Sequence, residues 1–196
     1  MTAFLADSLV SELLPYVNSN EQLITQFKAK FTCIYCGKKN LLEEYTKPFK
    51  VIPLLSPPAD SREVSAGGLL TKFLNTPFQT QCPAPCHGMN DAKYHPVIGK
   101  FTFLGMNRRD DEDWEKKLLT KVTAAGSGKW GDNFCRELIS AVMHRGSIKT
   151  GHFVTYSKAQ DSWYLNDDSK KVKHTTHPLR YGKRGETAEL LIYKNF

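Results

Sequence analysis

Three groups of residues in this chain are of types, and at spacings, that can do chemistry. The first lies in "GHFVTYSKAQDSWYLNDDSKKV", where His152 follows Gly151 and the acidic pair Asp167 and Asp168 comes downstream. A carboxylate hydrogen-bonded to one imidazole nitrogen fixes the tautomer and stabilises the imidazolium. The other nitrogen is then free to act as base toward a nucleophile. Two strand-like segments separate His152 from the acids, so a hairpin would bring Asp167 or Asp168 within reach of the ring. This pairing is two thirds of a thiol- or serine-hydrolase apparatus, and taken alone it has low specificity.

The second group is cysteine. Cys33-x-x-Cys36 and Cys82-x-x-x-Cys86 are close pairs with 45 residues between them. Both spacings suit structural zinc ligands, so four thiolates converging on one tetrahedral zinc is the sharper reading. His87 directly follows Cys86 and could substitute for one of the four as a ligand. The competing reading is buried free thiols, which behave as small hydrophobes. The third group is Cys135 in "GDNFCRELIS". A thiol at a helix N-terminus has a lowered pKa and could serve His152 as nucleophile. A thiol at the start of a strand has no such activation.

A length of 196 residues fits one domain or two small lobes, and 40% hydrophobic and 24% charged residues fit a globular chain. No apolar run reaches the length of a membrane span. The start, "MTAFLADSLVSELLPYV", lacks a basic segment and carries Asp7 and Glu12, so it reads as a short amphipathic helix rather than a signal peptide. A reducing compartment, cytoplasm or nucleus, is expected. An odd count of five cysteines with tight pairs agrees with that better than a disulfide framework does. The net charge is +7, and part of the excess sits in "KKVKHTTHPLRYGKR". A zinc-ribbon nucleic-acid binder would account for basic charge and paired cysteines. It ranks well behind, because the aromatic residues alternate along strands, where core packing explains them better than base stacking.

The elements that must position these groups read as follows. Leu5, Leu9 and Leu13 recur at helical spacing up to Pro15, and Ser19 to Gln22 has the spacing of a capping box for a second helix carrying Leu23, Ile24 and Phe27. Phe27, Ala29, Phe31 and Cys33 alternate as a strand. Residues 56–68 are a loop by composition, 69–75 a short helix, 99–107 a strand, 108–117 an exposed charged loop or hairpin tip, and 124–133 another loop. From residue 134 the chain reads as strands in "ELISAVMH", "HFVTYS", "SWYLND" and "AELLIYK", with residues 170–184 as a solvated basic loop. The sum is an α+β domain with short helices first and an antiparallel sheet last.

"ELISAVMHRGSIKTGHFVTYSKAQDSWYLNDDSKKV" followed by "ETAELLIYKNF" resembles the C-terminal part of the ubiquitin-specific protease domain. That family has an apolar strand ending in HxG, then GHY and an alternating strand, then W-Y-x-F-[DN]-D-x-x-V, and closes on AYLLFY. Here those places hold His144 and Gly146, Gly151-His152-Phe153, Trp163-Tyr164, Asp167-Asp168 and Ala188 to Tyr193. Phe153 replaces the common Tyr, Asn166 the common Phe, and one extra residue precedes Val172. Upstream, "LITQFKAKFTCIYCGKKN" and "CPAPCHGMNDAKYHPVIGKFTFLGMNR" resemble the two zinc knuckles of the family's fingers and the strand after them. The resemblance implies a papain-like fold, mostly antiparallel sheet (the palm), with zinc-finger-like fingers and few short helices. Residues 1–30 would be a helical lead-in, 31–98 the fingers and 99–196 the palm. It further implies zinc held by Cys33, Cys36, Cys82 and Cys86, and ubiquitin or a ubiquitinated protein as partner. His152 would be the general base, Asp167 its orienting carboxylate and Asp168 a neighbouring polar support.

The family's nucleophile is a cysteine in a "GNTCYMN" box followed by a "QQDA" box, and neither string occurs in these residues. Position 1 falls just past the second box. The family register makes the Cys135 segment the palm strand leading to His144. The expectation is therefore the C-terminal part of a deubiquitinase, inactive by itself, either as a piece of a longer protease or with its thumb supplied by another polypeptide. The alternative is a non-catalytic, zinc-stabilised ubiquitin-binding pseudoenzyme or scaffold.

Overall fold

The computed structural model describes residues 25–41 and 54–196, except 84, 111, 114, 125–126, 130–134, 169, 175–176 and 182–184. In chain order the first elements are β1 (Gln26–Thr32), β2 (Lys39–Leu41), β3 (Leu54–Leu55), β4 (Glu63–Ser65) and α1 (Ala66–Asn75). Next come β5 (Phe78–Gln81), β6 (Met89–Val97), β7 (Phe101–Met106), β8 (Lys121–Thr123) and β9 (Ser127–Lys129). The remainder is β10 (Cys135–Gly146), β11 (Gly151–Ala159), β12 (Ser162–Asp167), β13 (Lys170–His174), α2 (Pro178–Tyr181) and β14 (Glu186–Asn195).

These strands make two main sheets. An eight-stranded sheet has the order β13-β12-β11-β10-β14-β7-β3, with β9 added to β10. A four-stranded sheet has the order β2-β1-β6-β5, and β4 and β8 form a small parallel pair. The large sheet is antiparallel throughout except for the short β3–β7 pairing. Its central strands bury Leu138, Ala141, Met143, Val154, Tyr156, Leu165, Ala188 and Leu191 in one core with Leu69 and Leu70 of α1. Register shifts between β10 and β14 bring Leu138 and Ala141, like Ala188 and Leu191, to the same side. Phe103, Val142 and Leu190 form a second cluster, packed by Phe101, Phe153 and Ile192. Tyr94 stacks between Phe73 of α1 and Phe78 of β5, at centroid distances of 4.8 and 4.6 Å. No helix among the described residues is long and apolar enough to cross a membrane.

The two sheets are joined by a polar knot. The Thr25 amide donates to the Phe101 carbonyl at 2.7 Å, and the Thr25 and Thr102 hydroxyls lie 2.7 Å apart. Asn195 donates from Nδ2 to the Gly99 carbonyl at 2.5 Å and to Thr25 Oγ1 at 3.1 Å. Both threonines are fully buried, so these bonds satisfy groups that water cannot reach.

The structure departs from the sequence reading in several places. β1 begins at Gln26, so the helical lead-in cannot extend to residue 30, and Phe27 belongs to the strand. The two helices expected before it lie outside the described residues. The helix expected over 69–75 starts at Ala66, inside the expected loop. Ser65 caps it by accepting from the Gly68 amide at 3.0 Å, which offsets the poor propensity of Gly67 and Gly68. Residues 127–129 and 170–174 pair as strands at sheet margins rather than forming plain loops, and 178–181 make a turn of helix. Residues 108–117 do form a hairpin, closed by an Arg109–Lys117 bridge, but Arg108 is buried.

The backbones come very close at Gly146 opposite Gly151, where β10 meets β11. A Cβ on Gly151 would lie 2.1 Å from His144 Nε2 and 2.3 Å from the Arg145 carbonyl oxygen. The backbone partner cannot rotate away. Gly151→Ala is therefore expected to destabilise the fold by about 2 kcal/mol or more, by overpacking. Urea unfolding would test this, and an unchanged midpoint would contradict the close approach.

Candidate active site and metal centre

His152 is the second residue of β11 and Asp167 the last of β12. The hairpin register pairs Thr155 with Asn166, so the even-numbered side chains of β11 share a face with Asp167. His152 Nε2 lies 2.5 Å from Asp167 Oδ1. An ionised carboxylate only accepts, so Nε2–H is the donor and Nδ1 keeps its lone pair. Nδ1 makes no hydrogen bond to any described residue, and the side chain is 43% exposed, so that nitrogen is open to an incoming group. The His152 hydrogen bond is the main cause that holds the Asp167 carboxyl below the ordinary carboxylate range, against burial that pushes it up.

Asp168 takes a different position. It has φ +50°, begins the turn into β13 and is exposed. Its carboxylate lies within 4.8 Å of the ligand atoms of His152 and Asp167 but makes no hydrogen bond to a described residue. Aspartate tolerates this left-handed backbone better than most residues. Of the two acids that the sequence left open, Asp167 is the one bonded to the imidazole.

Sequence reasoning missed two sets of residues around this pair. Arg145 stands opposite His152 in the β10–β11 register and opposite Glu186 in the β10–β14 register. It donates from Nη1 to Asp167 Oδ2 at 3.3 Å and from Nε to Glu186 Oε1 at 2.5 Å. The Tyr156 hydroxyl donates to the other Glu186 oxygen at 3.3 Å.

On the far face lies a buried ionic cluster. His144 stacks on Phe153 at 4.4 Å, and its Nδ1 lies 2.7 Å from Lys117 Nζ. Burial, then the Lys117 charge, lowers the His144 pKa, so the neutral ring accepts from the ammonium. Lys117 also donates to the His144 and Gly146 carbonyls at 3.3 and 3.1 Å, gripping the end of β10. Glu189 Oε1 is 3.8 Å from both Lys117 and His144. Burial raises its carboxyl to about 7, opposed by Arg108 and Lys117. Arg108, lowered by burial to about 10, donates to the Ala188 and Thr120 carbonyls at 2.8 and 2.7 Å. The available signal was a single acid in the apolar run "AELLIYK".

The four paired cysteines meet at the end of the small sheet. Cys33 Sγ lies 3.5 Å from Cys86 Sγ, and Cys36 Sγ 3.9 Å from Cys82 Sγ, all four within 4.8 Å of one another. Each pair sits on a tight turn. The Gly37 amide donates to the Cys33 carbonyl at 2.8 Å with Gly37 at φ +70°, and the Cys82 amide donates to Gly88 at 2.8 Å. Asn90 ties the turns together, accepting from the Ile34 amide and donating to the Gly88 carbonyl. His87 is exposed and is not among the four clustered ligands. Zinc–sulfur bonds of about 2.3 Å in a tetrahedron place sulfurs about 3.8 Å apart, which this cluster matches. Burial raises the Cys33 thiol, yet backbone hydrogen bonds outweigh it and bring it to about 6. Burial and its cysteine neighbours push Cys82 to about 12. Four thiolates this close require a cation to ionise together, so the donor set fits a structural zinc.

Cys135 begins β10, as the strand reading expected, and is not at a helix N-terminus. The ten residues from it to Arg145, which faces His152, span roughly 33 Å of strand.

The lowered Asp167 pKa gives a stability prediction. Its native value lies below the unfolded one, so the contribution is complete above the unfolded carboxylate pKa and is lost as pH falls through the native value. Asp167→Asn should flatten the loss of stability between about pH 5 and pH 2. Urea midpoints measured against pH would check this, and parallel curves for both proteins would contradict it.

Solved structures share this fold. A yeast SAGA DUB module with a mutant Sgf73 aligns over 89% of this chain and 41% of the matched chain, at TM-score 0.61 and 16% identity. A SAGA DUB module of Ubp8, Sgf11, Sus1 and Sgf73 bound to monoubiquitin aligns over the same shares, at TM-score 0.60 and 15% identity. In sequence the chain is 25% identical over 154 residues to the "Probable ubiquitin carboxyl-terminal hydrolase 8" of Schizosaccharomyces pombe. That match takes in 72% of this chain and 32% of the relative, so the chain spans about a third of that protein. The model of the ubiquitin carboxyl-terminal hydrolase family matches residues 15–193, nearly the whole chain, which therefore belongs to that family.

Proposed function

We propose that this chain binds ubiquitin and holds the base and orienting carboxylate of a thiol-dependent deubiquitinase. The observation that carries this is the 2.5 Å contact of His152 Nε2 with Asp167, which leaves Nδ1 open. In such a reaction Nδ1 takes the proton of a cysteine thiol, and the thiolate attacks the carbonyl that ends ubiquitin. The departing amine takes the proton back from the imidazolium, leaving a thioester for water to cleave. Asp167 keeps the ring in the required tautomer throughout.

By this reading these residues do not complete the reaction alone. Cys33, Cys36, Cys82 and Cys86 are engaged with one another, and Cys135 is at the far end of β10. The same observation favours the second reading, a ubiquitin-binding scaffold that does no chemistry, and the two part on whether a thiolate reaches Nδ1. In both, the four clustered cysteines hold one structural zinc, which orders the two turns of the small sheet.

Two outcomes are expected. Labelled ubiquitin should show saturable anisotropy with the purified chain, while a fluorogenic ubiquitin C-terminal amide should not turn over above buffer. Absence of binding would sink the proposal, and turnover abolished by Cys135→Ala would overturn the placement of that thiol. Metal analysis should find one zinc per chain. Strong chelators or Cys36→Ser should release it with loss of folded signal, as in other structural zinc sites worth roughly 10 kcal/mol. Metal-free folded protein would remove the zinc assignment.

A further inference from the structure

We propose that Arg145, anchored by Glu186, is a positioning residue that fixes the His152–Asp167 pair. This rests on the reading of His152 and Asp167 as base and orienter. Asp167 ends its strand beside the left-handed turn residue Asp168 and is 31% exposed. The last torsion of an aspartate is soft, so a single hydrogen bond to His152 leaves its carboxylate free to rotate. Its second oxygen is held by Arg145 Nη1 at 3.3 Å, which makes the carboxylate a two-point support.

Arg145 is itself fixed. Its Nε bonds Glu186 Oε1 at 2.5 Å, and the Glu186 side chain is fully buried, 0% exposed. Swinging Arg145 away would leave a buried carboxylate without its cation, which is costly. Tyr156 secures the other Glu186 oxygen at 3.3 Å, and its hydroxyl also lies against Arg145. Charges alternate along the row, from Glu186 through Arg145 to Asp167 and the imidazole. Only a planar fork can serve both carboxylates from fixed directions, so lysine should not replace it. The positive charge raises the ionised fraction of Asp167, to which it contributes both directly and by hydrogen bond. Arg145 therefore acts on His152 through Asp167.

The test uses the full chain labelled with 15N-histidine and 13C-aspartate, in the wild type and in Asp167→Ala, Arg145→Met and Arg145→Lys. In the wild type the neutral His152 ring should give separate 15N shifts for a protonated Nε2 and a bare Nδ1. In Arg145→Met those shifts should move toward the average of two tautomers, and the Asp167 midpoint should rise. Arg145→Lys should move both signals the same way by less, and it carries the test where the methionine variant fails to fold. Unchanged ring shifts in a folded Arg145 variant would overturn the proposal, even with lower stability, because they would leave Arg145 a plain sheet contact. Unchanged ring shifts in Asp167→Ala would instead overturn the base-and-orienter reading on which it rests. Averaging in Asp167→Ala alone would spare that reading and remove only the role of Arg145.

Discussion

β10 is hydrogen-bonded along both edges, to β11 and to β14, and its register decides which side chains share a face. One residue of slip against β11 would send Arg145 to the opposite face from His152. The register is pinned where Gly146 faces Gly151, since neither position has room for a side chain. On the other edge it shifts between Val142 and Met143, opposite Leu190 and Ala188. Glu189 falls in that irregularity, which turns its carboxylate out of the ladder toward Lys117 and His144. A bulge commonly re-aims a side chain in this way beside a functional site.

The two faces around the end of β10 therefore carry two different electrostatic arrangements. The His152–Asp167 pair is open to solvent on one side, as the base proposed above has to be. The Arg108, Lys117, His144 and Glu189 cluster is closed off, and burial moves each of its groups toward its neutral form. Such a cluster contributes little net stability, but it tolerates few arrangements. Through Lys117 it ties the hairpin at 108–117 to the carbonyls of His144 and Gly146. The charged loop thus holds the turn from which His152 emerges.

Alternation and composition made much of this legible. β11 and β12 have an apolar period that matches their buried face, β7 and β14 are apolar runs buried on both faces, and the paired cysteines meet as their spacing implied. What could not be read depends on tertiary contact. β9 and β13 are short strands at the margins of the large sheet, and pairing rather than apolar period defines them. Arg108 and Lys117 sit in a run that reads as solvated, because nothing local distinguishes a buried cation from an exposed one. Between Asp167 and Asp168 the deciding fact is a backbone turn, with Asp168 at φ +50°. Arg145 gains its neighbours only through two strand registers at once.

The polar knot between the sheets sets the order in which the chain can acquire this structure. Its bond from Asn195 to Thr25 closes a separation of 170 residues. Asn195 ends β14, which lies between β10 and β7 and follows both in the chain. During synthesis, β7 and β10 emerge before the strand that must separate them. Until it arrives, each presents an unpaired edge to the other and to its surroundings. Long-range pairing of this kind is slow, and the waiting state is open to misassembly. Insertion of β14 then completes the large sheet, brings Glu186 beneath Arg145 and fastens the small sheet to the large one in a single late event.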